Sequence, residues 1–158
     1  VTTVTVQSDR EVDALVAEHI FGWRWITCIA TAGGFSRGRT YLLVDDTSAA
    51  LLDQHSDKFI DDDGSGVRRA HHTPNYTTDP VACARLKRKL REAGWAIELF
   101  IPSNRDRDDA WFCSVERMTT EDEVGGNGIG TEERALALAA LRAYGIEVEY
   151  VPAEAVAT

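Results

Sequence analysis

Apolar positions along the chain follow two rhythms, one helical and one strand-like. Val12, Leu15, Val16, His19 and Ile20 recur at helical spacing and form one face of a first helix. Ser8-Asp9-Arg10-Glu11 ahead of them reads as a capping box, with Ser8 bonding the backbone N–H of Glu11 and Glu11 reaching back to Ser8. Gly22 is the natural stop. A second helix is predicted from Pro80 to about Ala93, with Asp79 as N-cap and Pro80 at the first position, where its missing N–H costs nothing. Cys83, Leu86, Leu90 and Ala93 line its apolar face, and Gly94 ends it. A third helix, dense in Ala and Leu, is capped by Thr131 and runs to Tyr144 before Gly145. Being apolar on most sides, it is expected to be buried.

The strand-like stretches come in pairs. Trp25 to Thr31 and Arg39 to Val44 are rich in β-branched or aromatic residues and flank a glycine-containing turn, so they predict a hairpin. Trp95 to Ile101 and Ala110 to Glu116 predict a second hairpin around the polar run from Pro102 to Asp109. Ile146 to Val151 adds a last short strand, and Val4 to Val6 are β-prone. Thr47 to Gln54 has the composition of a short helix, and Asp61 to Gly66 that of a loop. Residues from about 45 to 73 therefore read as a loop-rich insertion, and Thr119 to Gly130 as a polar, glycine-rich connector. Alternation of helices with hairpins predicts an α+β fold with a mainly antiparallel sheet built from two hairpins and three main helices.

At 158 residues and 44% hydrophobic composition, one globular domain is expected, large enough to bury a core without disulfides or metals. No apolar run approaches the roughly 20 residues of a membrane span, and no secretory leader opens the chain, so a soluble cytoplasmic protein is expected. Cys28, Cys83 and Cys113 are odd in number and far apart, which suits reduced, packed thiols. The net charge is −9, which weighs against binding to duplex nucleic acid. Residues 68–91 depart from that balance: seven Arg or Lys against Asp79 alone give this window +6 and leave the rest of the chain at −15.

Several motifs invite chemistry and do not sustain it. Gly126-Asn127-Gly128-Ile129-Gly130 before a helix suggests a phosphate loop but lacks the Gly-Lys-Ser/Thr ending, and acidic Glu121, Asp122, Glu123, Glu132 and Glu133 surround it. A flexible connector is the better reading. Asp61-Asp62-Asp63-Gly64 fails as a calcium loop because Phe59 and Ala70 stand where acids are needed. Adjacent His71 and His72 cannot both face one tetrahedral ion from regular structure, so no metal is expected. His19 is read as a core-edge histidine rather than a base. No nucleophile motif is present, no catalytic residue is assigned, and no cofactor is expected.

Leu15 to Trp23, then Pro74-Asn75-Tyr76-Thr77-Thr78-Asp79 opening a helix, then Trp111-Phe112-Cys113 and an Ala/Leu helix ending at Gly145 together resemble the phage ABA-sandwich domain. The resemblance covers roughly residues 8–25 and 72–145, with nothing across 31–69. It implies an α/β/α layered sandwich and a phage accessory protein working in the host cell, and brings no catalytic residue set.

The residues of the basic window suggest a site at the start of the second helix, where free N–H groups and the positive end of the helix dipole meet the loop before it. A small anionic or nucleotide-like ligand would be neutralised there by Arg68, Arg69 and His71, with His72 in the same loop, stacked on by Tyr76, Trp23 or Trp111, and bonded by Thr77 and Thr78. The alternative is a protein-interaction module, in which the basic face of the same helix, Arg85, Lys87, Arg88, Lys89 and Arg91, docks an acidic protein or a second copy. An enzymatic reading rests only on scattered His, Cys and Asp residues and ranks below both.

Overall fold

The computed structural model describes residues 1–32, 35–45, 67–69, 73–101, 111–118 and 123–152. Strand β1 (Thr2–Val6) leads into helix α1 (Asp9–His19), then strands β2 (Arg24–Ala32) and β3 (Phe35–Val44). After a short β4 (Val67–Arg69) come α2 (Pro80–Glu92), β5 (Ala96–Phe100), β6 (Trp111–Met118), β7 (Glu123–Gly130), α3 (Glu132–Ala143) and β8 (Ile146–Tyr150). The fold is α+β, with three helices among the described residues and mainly antiparallel pairing. β2 pairs antiparallel with β3, and β5, β6 and β7 form an antiparallel meander. Both expected hairpins are present. β4 joins β3 in parallel, and β1 and β8, from opposite ends of the chain, pair in parallel with Val4 opposite Val148. The expected helix at 47–54, the loop at 61–66 and the turn at 102–109 lie outside the described residues. No described helix is long and apolar enough to cross a membrane.

Local signals set the helix ends. Asp79 Oδ1 accepts the Val81 N–H at 2.9 Å, and Thr131 Oγ1 accepts the Arg134 N–H at 3.3 Å. Each bond satisfies one of the donors that a helix start leaves open. Gly94 and Gly145 follow α2 and α3 at φ +88° and +84°, a conformation that strains other residues. The capping box at α1 does not form as expected. Ser8 holds the N-cap position without a side-chain bond, and Glu11 Oε2 reaches one residue further back to accept the Gln7 N–H at 2.9 Å.

α3 is the centre of the core. It packs on β6, β7 and β8 and against both other helices, and Leu136, Leu141 and four of its alanines are wholly buried. Val12 and Val16 reach it from α1, and Leu86 and Leu90 from α2. Two expectations fail at the rims of these faces: His19 and Ala93 are exposed.

The stretch expected to be a connector before α3 is instead β7, paired with β6 along its whole length. Its glycines answer a packing demand. Gly126 and Gly128 alternate onto the face that meets α3, and a Cβ on Gly128 would lie 2.1 Å from the Ala135 carbonyl oxygen. One on Gly126 would lie 2.5 Å from that of Ala139. Small residues on both elements let helix and strand backbones touch, which is a common reason for glycine inside a strand.

A carboxylate ties the first and third helices to the last strand. Arg134 donates to Asp9 through Nε at 3.1 Å and Nη2 at 2.5 Å, and the Tyr150 hydroxyl donates to Asp9 Oδ1 at 2.8 Å. Burial alone would raise the Asp9 carboxyl, but these bonds outweigh it and hold it below its ordinary 3.8. A carboxyl lowered on folding contributes stability above its unfolded value and loses it as pH falls through the folded one. Asp9→Asn should therefore lower the melting temperature at neutral pH, with the gap to wild type closing below 3.8 in a thermal-denaturation series. A gap that persists in acid would show that the ionised pair contributes nothing.

Candidate functional site

The loop from Thr73 to Asp79 is built onto α1 by a polar network. Arg10 donates through Nη2 to Thr73 O at 3.1 Å and Thr73 Oγ1 at 2.9 Å, and through Nη1 to Asp13 Oδ2 at 3.0 Å and to Asn75 Oδ1. Asp13 Oδ1 accepts both the backbone N–H of Thr77 at 2.8 Å and its hydroxyl at 3.0 Å. Asp13 is 1% exposed, on the inward face of α1 between Val12 and Val16. Burial raises its carboxyl above 3.8 even though Thr77 and Arg10 pull it down. It thus responds to acid oppositely to Asp9, since a raised group favours the folded state as pH falls through its folded value.

This network decides what Tyr76 and Thr77 do. The Tyr76 ring is 2% exposed and stacks on Phe21 with centroids 5.0 Å apart at 18°. Burial pushes its phenol up to about 12. Thr77 is 1% exposed, with both donors engaged by Asp13. Neither side chain faces solvent: the tyrosine packs as a wedge against Phe21, and the threonine is a clasp on α1. Thr78 is exposed, and Trp23 is half-buried and packs against the core. Trp111 also packs on the core, but from the start of β6, where it pairs with Gly130. The backbone of Arg68 and Arg69 lies in β4 opposite Tyr41 and Leu42. Their side chains, and all of His71 and His72, lie outside the described residues.

Sequence reasoning missed Arg10 and Asp13. The available signal was a carboxylate one residue after Val12 and three before Val16, inside the arc that the apolar spacing turns toward the core. The partner that makes it tolerable stands 64 positions away.

The second candidate surface is the outer face of α2. Arg85, Arg88 and Arg91 are exposed along it with Val81 and Ala84, while Lys87 leans back to Glu132 of α3 at 3.0 Å. Arg85, Arg88, Lys89 and Arg91 have no ion-pair partner among the described residues. Three guanidiniums one helical turn apart make a cationic stripe, and Arg91 also complements the C-terminal end of the helix dipole.

Cys83 on α2 and Cys113 on β6 are free and buried, and burial pushes their thiols up to about 11 and about 12. At neutral pH both are thiols, the unreactive form. No three His, Cys, Asp or Glu side chains among the described residues converge as a metal site requires. Comparison with protein-family models, curated proteins and solved structures found no match.

Proposed function

We propose that this chain is a non-enzymatic binding protein that docks an acidic protein surface on the Arg85, Arg88 and Arg91 stripe of α2. The observation that carries this reading is a row of exposed cations without ion-pair partners among the described residues, on a chain of net charge −9. In such a chain the acidic remainder repels extended polyanions, so the stripe favours a compact acidic partner that touches it alone. The resemblance to the phage ABA-sandwich domain directs the search for that partner to host and phage proteins.

The small anionic or nucleotide-like ligand at the start of α2 is the weaker reading. Tyr76 and Thr77 are committed to the core and to Asp13, and the Asp79 carboxylate already occupies the helix N-terminus where an anion would sit.

The test is retention of host-lysate proteins on the immobilised chain, beside a variant carrying Arg85→Glu, Arg88→Glu and Arg91→Glu. Wild type should retain a partner at low salt and release it at high salt, and the variant should bind it at least about tenfold more weakly. Equal retention by a folded variant would refute the stripe as the docking surface.

A further inference from the structure

Two strands of this fold stop short of each other. Among the described residues β7 pairs only with β6, and β8 pairs only with β1, although α3 joins the two in sequence and packs on both. Between them lies a groove of about 300 Å³. Asn127 and Ile129 of β7 form one wall, Glu147 and Val148 of β8 the other, and Leu138 and Arg142 of α3 the floor. An edge strand directs a row of backbone N–H and C=O groups away from its sheet. Here two such edges flank one groove, over a floor that joins apolar Leu138 to the Arg142 side chain, a setting in which an extended peptide adds as a strand.

The pleat specifies what such a strand would carry. On β7, Gly126 and Gly128 turn toward α3 while Asn127 and Ile129 turn away. On β8, Ile146 and Val148 turn to the core, which leaves Glu147 and Glu149 on the opposite side. An added strand would therefore place every second side chain over Leu138 and beside Val148, where an apolar group fits. The intervening side chains would emerge on the face bearing Glu147 and Glu149, a face that the meander continues with exposed Glu98 and Glu116. The nearby cation, Arg142, holds Glu147 at 3.4 Å in a pair about half exposed on each side. Such a pair is weak in water and yields to a competing cation. Phe100, Phe112 and Ile129 lie side by side across the meander on this face, with Phe100 41% and Ile129 44% exposed. They offer a surface for the aliphatic stem of a long basic side chain.

We propose that β7 and β8 together receive an extended segment of a partner protein as an added strand, apolar at every second position and carrying Lys or Arg between. Its insertion joins the meander and the β1–β8 pair into one sheet across α3. This site is separate from the α2 stripe and selects the opposite charge.

The test is fluorescence anisotropy of a labelled peptide alternating Val and Lys over about nine residues, titrated with the full chain. The expected result is saturable binding that Ile129→Lys and Glu147→Lys each weaken at least about tenfold, while the α2 charge-reversal variant binds like wild type. A peptide with proline at alternate positions, unable to donate the backbone bonds, should not bind. Amide NMR shifts on wild type, which do not depend on any variant folding, should centre on residues 127–129 and 147–148. The proposal is overturned by no binding up to about 1 mM, by equal binding of the proline peptide, or by shifts centred elsewhere. It is equally overturned if light scattering shows the groove closed by a second copy of this chain.

Discussion

Gly128→Ala should destabilise the protein by about 3 kcal/mol, at the upper end of the cost of over-packing a core. In an ordinary strand the same substitution would help, because alanine restricts the unfolded chain and contributes about 0.4–1 kcal/mol. Here the new methyl would lie 2.1 Å from the Ala135 carbonyl oxygen and 2.7 Å from the Ala139 nitrogen. Both are helix backbone and cannot turn aside as a side-chain tip does. α3 must lift from β7, and because it also packs on β6, β8, α1 and α2, the displacement spreads through the core. A thermal scan should show a loss of roughly 10 °C for a chain of this size. Asn127→Ala, on the exposed side of the same strand, should change stability by less than about 0.5 kcal/mol. A neutral or stabilising Gly128→Ala would mean that helix and strand are not in backbone contact.

Asp13→Ala should cost about 3 kcal/mol in urea unfolding, because it removes the acceptor for a buried backbone N–H and a buried hydroxyl of Thr77 and one partner of Arg10. The raised Asp13 carboxyl shows that burial works against the charge. The loss in the variant therefore comes chiefly from stranding the groups around it, not from a favourable ion pair. Thr77→Val, which deletes only the hydroxyl, should cost about 1 kcal/mol. The double variant should fall short of the sum, since both changes cut the same contact. Full additivity would show that the two residues do not share a bond. The network also holds the chain entering α2, so loss of Asp13 should loosen residues 73–79 before it disturbs α3, which amide exchange would detect.

These experiments bear on why parts of the molecule could be read from its sequence. The ends of α2 and α3 depend on interactions within a few residues, Asp79 with Val81, Thr131 with Arg134 and the glycines beyond each helix, and both hairpins pair strands that follow one another in the chain. Such interactions repeat wherever the same residues stand in the same order, so the α+β class followed from them. The cationic face of α2 was legible for the same reason, since helical spacing alone puts Arg85, Arg88 and Arg91 on one stripe.

Tertiary structure decided the rest. Residues 123–130 carry the composition of a flexible connector, and only the approach of α3 turns their glycines from turn formers into spacers for backbone contact. The packing of Tyr76 on Phe21 and the bonds from Thr77 to Asp13 were not legible, because polarity is visible in a sequence and a buried partner 64 residues away is not. The parallel pairing of β1 with β8 arises between segments more than a hundred residues apart. By itself the sequence determined which elements form and where they end, because those choices are local. Which side chains are spent on holding the elements together, and which remain for a partner, was decided by contacts that exist only once the chain has closed on itself.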